Sequence, residues 1–201
     1  MLLVLVLFIC GAVVMSVEIL ASRILAPEFG DNLYVWGSLI GTFIGALSVG
    51  YWFGGLAADR WPTRKGLAVL TFVSGIVTVV MVYLTTPVNE YIYALDIAGE
   101  TQLWLKPLTA AAVLYGVPMA LLGAVSPYCV RLAAHDLMRL GRRVGSFYAI
   151  SSLGSIFGTF LTAFYLVGEF RVRATILAEG VLLVCLSVVI LVSSLIIERR
   201  R

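Results

Sequence analysis

In 201 residues, 61% of them hydrophobic and 12% charged, there is no room for a soluble catalytic core beside the apolar runs. A mean hydropathy of +1.05 and a net charge of +3 describe a membrane protein whose basic residues report topology rather than a nucleic-acid footprint. Three isolated cysteines and one histidine support neither a disulfide framework nor a Cys/His metal site, so no metal or other cofactor is expected.

A helix that crosses hydrocarbon needs roughly 20 mostly apolar residues, because nothing there satisfies an exposed backbone. Six runs meet that requirement, near 1–22, 33–57, 67–87, 107–130, 145–168 and 174–197. The expected fold is an all-α integral membrane protein, a six-transmembrane-helix bundle forming one transmembrane domain over 1–201. The first run is too long for a signal-peptide core, lacks a basic start and continues into Glu18, Arg23 and Pro27, so it reads as a retained helix.

Glu18 is the first residue with chemical content. A carboxylate inside an apolar run is expensive unless it is paired, protonated or wet. Arg23 lies five positions later, a poor match for helix neighbours three or four apart. Either Glu18 is a buried polar anchor, or it binds a proton or a cation. Glu179, in the first third of the sixth run, poses the same choice.

The second run carries Gly37, Gly41 and Gly45, then Gly50, Gly54 and Gly55, a small-residue pattern suited to close helix contact in lipid. Its aromatics Tyr34, Trp36, Tyr51 and Trp52 either stack on a cation or serve belt and core packing. The run leaves the membrane through Gly55-Leu-Ala-Ala-Asp59-Arg60-Trp-Pro-Thr-Arg64-Lys65. That stretch resembles the signature loop between the second and third helices of the major facilitator superfamily. It departs from the family pattern at Pro62 and Thr63. Asp59 is expected to pair with arginines or to cap a neighbouring helix.

Residues 88–106, with Tyr91, Tyr93 and Trp104, read as a short interfacial helix. In the fourth run Pro118 and Pro127 are expected to interrupt the helix twice, and Ser126 and Tyr128 flank the second break. Such breaks line substrate paths in transporters, although a kink serving only packing fits equally well. The fifth run holds Ser151, Gly154, Ser155, Gly158, Thr159 and Thr162 as a second small-residue face, and Tyr148 joins the candidates for a substrate or ion path. A weak internal match of 34–43 with 148–160 suggests a 3+3 inverted repeat.

Ten of the fourteen basic residues fall in alternate gaps: Arg60, Arg64 and Lys65, then Arg131, Arg139, Arg142 and Arg143, then Arg199, Arg200 and Arg201. The opposite gaps hold Arg23, Lys106, Arg171 and Arg173 beside most of the acidic residues. The expected location is the plasma (cytoplasmic) membrane, multi-pass, with both termini cytoplasmic.

A longer resemblance is carried by motifs in order: 18–30 (EILASRILAPEFG), 34–38 (YVWGS), 50–55 (GYWFGG), 126–128 (SPY) and 145–159 (GSFYAISSLGSIFGT). Over about 14–173 the chain resembles the membrane portion of the membrane-bound, or fused major-facilitator/spermidine synthase-like, family. In that family a multi-span module commonly precedes a soluble aminopropyltransferase domain. No segment here reads as the glycine-rich βαβ unit such a domain needs, so aminopropyl transfer is not carried over. The resemblance implies a transporter-like module, half of a major-facilitator bundle, with a polyamine or another cation as the natural substrate class.

Two functions follow as expectations. One is secondary transport by a homo-oligomer, with Glu18 binding a proton or cation and spans one and four lining the path. The other is a non-transporting scaffold that docks a separate soluble, spermidine synthase-like enzyme or another membrane protein, with Arg142–Arg143 and Arg199–Arg201 binding an acidic partner or anionic lipid. An enzyme is not expected, because no HExxH, serine–histidine or paired-carboxylate arrangement exists and His135 falls in a polar gap.

Overall fold

The computed structural model describes residues 2–96, 99, 101–133 and 140–199. His135, Arg139, Arg200 and Arg201, read above from the sequence, lie outside these residues. The described residues form six long helices: α1 (Leu2–Phe29), α2 (Leu33–Arg60), α3 (Arg64–Ala94), α4 (Gln102–Ala133), α5 (Leu140–Leu161) and, last, α7 (Val172–Arg199). Between α5 and α7 lie a π-helical turn (Thr162–Leu166) and the short α6 (Val167–Glu169), which continue α5 into one fifth span. All six spans are long and apolar enough to cross a membrane, so the chain is a multi-pass helical membrane bundle.

Helix starts are written locally. Asn32 caps α2, its Oδ1 accepting from the Tyr34 and Val35 amides at 2.9 and 3.1 Å. Thr63 caps α3 by accepting from the Gly66 amide at 3.1 Å. Each satisfies amides that a helix leaves without intrahelical partners. Thr63 is therefore the residue that starts the next helix.

Two expectations are corrected. Residues 88–106 contain no separate interfacial helix among those described, since α3 continues to Ala94 and α4 begins at Gln102. Buried Ile92 and Asn89, whose Nδ2 donates to the Ile24 carbonyl at 3.2 Å, hold this extension of α3 against α1. Neither Pro118 nor Pro127 breaks α4, which is continuous from Gln102 to Ala133. Neighbouring helices supply the packing that lets a membrane helix keep its proline. Each proline still removes one amide, leaving the carbonyls four residues earlier, on Leu114 and Gly123, without their usual helical donor.

The helices pair in three main seams, α2 on α4, α3 on α7 and α1 on α5. Helices α1 and α4 occupy the middle: α1 buries residues almost all round, from Val6 to Leu25, and α4 buries Leu114, Tyr115, Met119, Leu122 and Val125. The seams close through glycine. A Cβ at Gly50 or Gly54 would strike the backbone of Ala120 or Ala124 in α4, and one at Gly123 would meet Leu47 in α2. In the α1–α5 seam, Gly154 and Gly158 lie against the backbones of Phe8 and Ala12, and Gly11 against Ser151. In the third seam Gly75 and Gly180 abut each other's carbonyls. By contrast a Cβ at Gly37, Gly41, Gly45 or Gly55 would meet nothing within 4 Å among the described residues, so the first three belong to no crossing between the described helices.

Candidate functional site

The sequence-derived candidates divide into three groups in space. At the end of α2, Asp59 forms an ion pair with Arg131 of α4, Oδ1 to Nε 2.7 Å, rather than capping a helix. Arg60 lies over the Trp61 ring at 5.6 Å, and Arg64 opens α3. The small residue that lets α2 meet α4 here is Gly54, while Gly55 is open. The buried Tyr128 hydroxyl donates to the Trp61 carbonyl, tying the α2–α3 turn to α4. Tyr128→Phe deletes one hydrogen bond, so it is expected to lower stability by about 1 kcal/mol, a Tm drop of roughly 2–4 °C in detergent.

The second group lies on the surface. Tyr34, Tyr51, Trp52 and Tyr148 are exposed, and Trp36 donates its Nε1 proton to Asp31 Oδ1 at 2.9 Å. Ser126 is half-buried beside Pro127 and makes no side-chain hydrogen bond among the described residues. Arg23 is exposed and forms no ion pair with Glu18, which is half-buried.

The third group is built around Glu179. Its carboxylate, on α7, is 9% exposed, and its Oε1 accepts a hydrogen bond from Ser16 of α1. Ser16 in turn accepts from Thr162 Oγ1 at 2.6 Å. A three-residue polar chain therefore links α1, the fifth span and α7 inside apolar surroundings. Ser16 sits at the midpoint of α1, and Glu179 immediately precedes Gly180, where α7 crosses α3. Thr162 is the first residue of the π turn. Single π turns inside α-helices recur at functional sites.

Glu179 Oε2 is buried and has no hydrogen-bond partner among the described residues. A bare carboxylate oxygen in apolar surroundings is costly, and a proton or a cation placed on it relieves that cost. Glu179 also lines a cavity of about 510 Å³ between α1, the fifth span and α7. Its walls are otherwise almost entirely apolar, with Phe8, Phe157, Leu161, Phe170, Ala178 and Leu182 among them.

Sequence reasoning singled out Glu179 but not its partners. Ser16 looks like any small residue in an apolar run, and Thr162 reads as part of a helix-packing face. Only the crossing of α1 with the fifth span brings them together. No protein-family model, curated protein or solved structure matches this chain.

Proposed function

We propose that this chain is a secondary-transporter-like integral membrane protein for a cation, built on the plan of half a major-facilitator bundle and working as a homo-oligomer. Its place would be the plasma membrane, with both termini cytoplasmic. The observation that carries the proposal is the Thr162–Ser16–Glu179 chain, which ends in a buried carboxylate oxygen without a partner beside a cavity. Transporters place proton and cation sites at such positions inside the bilayer.

The glycine contacts support a 3+3 repeat of this kind. Leu47, Gly50 and Gly54 of α2 correspond, at one constant offset along the chain, to Ser151, Gly154 and Gly158 of α5. Ala120, Gly123 and Ala124 of α4 correspond at another constant offset to Phe8, Gly11 and Ala12 of α1. The contacts of each seam map onto those of the other under this exchange, and Gly75 and Gly180 exchange with each other. This register sets Gly54 opposite Gly158, where the sequence match had set Gly41. The homo-oligomer is supported by the open faces at Gly37, Gly41 and Gly45 of α2 and at Gly141 and Gly145 of α5. Small residues of this spacing bring helices together in lipid.

The test is uptake by the purified protein in liposomes under an imposed proton gradient, with labelled cations ranging from spermidine to tetraphenylphosphonium. Glu179→Gln is expected to cut uptake by about tenfold or more, and Glu18→Gln, at the second carboxylate of the path, to reduce it as well. Uptake no higher than in empty liposomes for every cation would end the transporter reading.

A further inference from the structure

Two cavities among the described residues occupy positions that the repeat makes equivalent. One, of about 870 Å³, is lined by α2, α3 and α4; the other, of about 510 Å³, by α1, the fifth span and α7. Phe53, Gly54 and Ala124 line the first where Phe157, Gly158 and Ala12 line the second. Such grooves arise wherever a glycine seam draws two helices together beside a third, so their existence alone signals no ligand.

What differs between them is chemistry. The first cavity has Tyr128 where the second has Ser16, and buried Ser74 stands in α3 where α7 carries Glu179. Tyr128 is committed to the Trp61 carbonyl and Ser74 to the Leu70 carbonyl at 2.8 Å, so both polar groups are satisfied within the fold. Glu179 is not, since Oε2 has no partner among the described residues. Only the second cavity therefore combines apolar walls with an uncompensated acidic oxygen.

From this we infer that the cavity between α1, the fifth span and α7 binds an organic cation of single charge with an apolar body, reached from the lipid side. The inference rests on the reading of Glu179 as the transport carboxylate and narrows its ligand. Phe157, Phe170 and Leu182 on the cavity wall are exposed on the outside of the bundle, where lipid would lie. Phe8 and Phe157, with ring centroids 5.6 Å apart, offer aromatic faces that attract a cation and receive its apolar groups. Among the described residues lining the cavity, Glu179 is the one carboxylate. A polyamine would bring several ammonium groups to that single acid and leave the rest against hydrocarbon, so the walls select against it.

Equilibrium binding of labelled tetraphenylphosphonium to the purified protein in detergent, without any gradient, tests this. Wild type is expected to bind it and to be displaced by unlabelled tetraphenylphosphonium far better than by spermidine. Glu179→Gln should weaken binding roughly 30-fold or more, the loss seen when one member of a buried charge pair is removed. Ala178→Phe, which fills the cavity and leaves the carboxylate in place, should also weaken binding, whereas Val69→Phe, in the other cavity, should not. Thermal unfolding of each variant separates lost binding from a lost fold, and Glu179→Asp supplies a second carboxylate-bearing protein if the glutamine variant does not fold. Binding that survives Glu179→Gln in a folded protein overturns the inference, as does equal displacement by spermidine. Gradient-driven uptake that depends on Glu179 without tetraphenylphosphonium binding overturns the ligand class alone. Glu179-dependent binding without uptake leaves the site standing and removes the transporter reading.

Discussion

Gly158→Leu and Gly50→Leu are each expected to destabilise the protein by more than about 3 kcal/mol, at or beyond the upper end of overpacking effects. In both cases the first added carbon meets backbone, that of Ala12 in α1 or of Ala120 in α4, and backbone cannot rotate out of the way as a side chain does. Relief requires the whole seam to open. Helices in lipid have little hydrophobic drive to associate, so an opened seam loses the dispersion contacts that hold it. The expected readout is a large fall in Tm in detergent together with loss of a monodisperse peak. Gly41→Leu is the matched control, because a Cβ at Gly41 would meet nothing within 4 Å among the described residues, and it should change the stability of the isolated protomer by no more than about 0.5 kcal/mol. A Gly158→Leu protein as stable as wild type would show that the α1–α5 crossing is not as close as described.

Glu179→Leu should separate stability from function in the opposite direction. Leucine removes a buried carboxylate with one unpartnered oxygen and adds apolar contact inside the α1–α7 packing. Replacing buried ionic groups by apolar residues of similar volume is often neutral or stabilising by about 1–4 kcal/mol. Thr162 still donates to Ser16, and the Ser16 hydroxyl, which loses Glu179 Oε1 as its acceptor, is free to turn to the carbonyl one helical turn earlier in α1. The expected outcome is a Tm equal to or above that of wild type with uptake and cation binding gone. A clear loss of stability would instead make Glu179 a structural anchor whose hydrogen bond from Ser16 holds α1 to α7.

The six spans were legible because apolar run length is a one-dimensional property, and each run reappears as a helix within a few residues at its core. Their ends were less so. Nothing local told that α3 would run past Pro87 to Ala94, since Asn89 finds its acceptor on Ile24, far away in sequence. The glycines were recognised as packing residues, but which ones pack depends on which face of α2 meets α4. Three-residue and four-residue spacings occur on both faces, so Gly37, Gly41 and Gly45 could not be told from Gly50 and Gly54. The same ambiguity hid the site. An intramembrane glutamate announces itself by its cost, and both Glu18 and Glu179 did so. Which one receives polar company was settled by the seam that lays Ser16 beside Thr162.

The three glycine seams also bear on how the chain is made. Each joins one of α1, α2 and α3 to α5, α4 or α7, so the main contacts of the first three helices are all with helices synthesised later. Before α4 has entered the bilayer, Gly50 and Gly54 lack the helix they pack against in the finished bundle, and Gly11 and Gly75 must wait longer still, for α5 and α7. The early half of the chain is then a set of helices waiting for partners; the first seam closes when α4 arrives beside α2, and the last only when α7 reaches α3. Separately expressed fragments cut in the α3–α4 connection would have to find each other through those same seams, and would do so in the membrane plane rather than by folding alone.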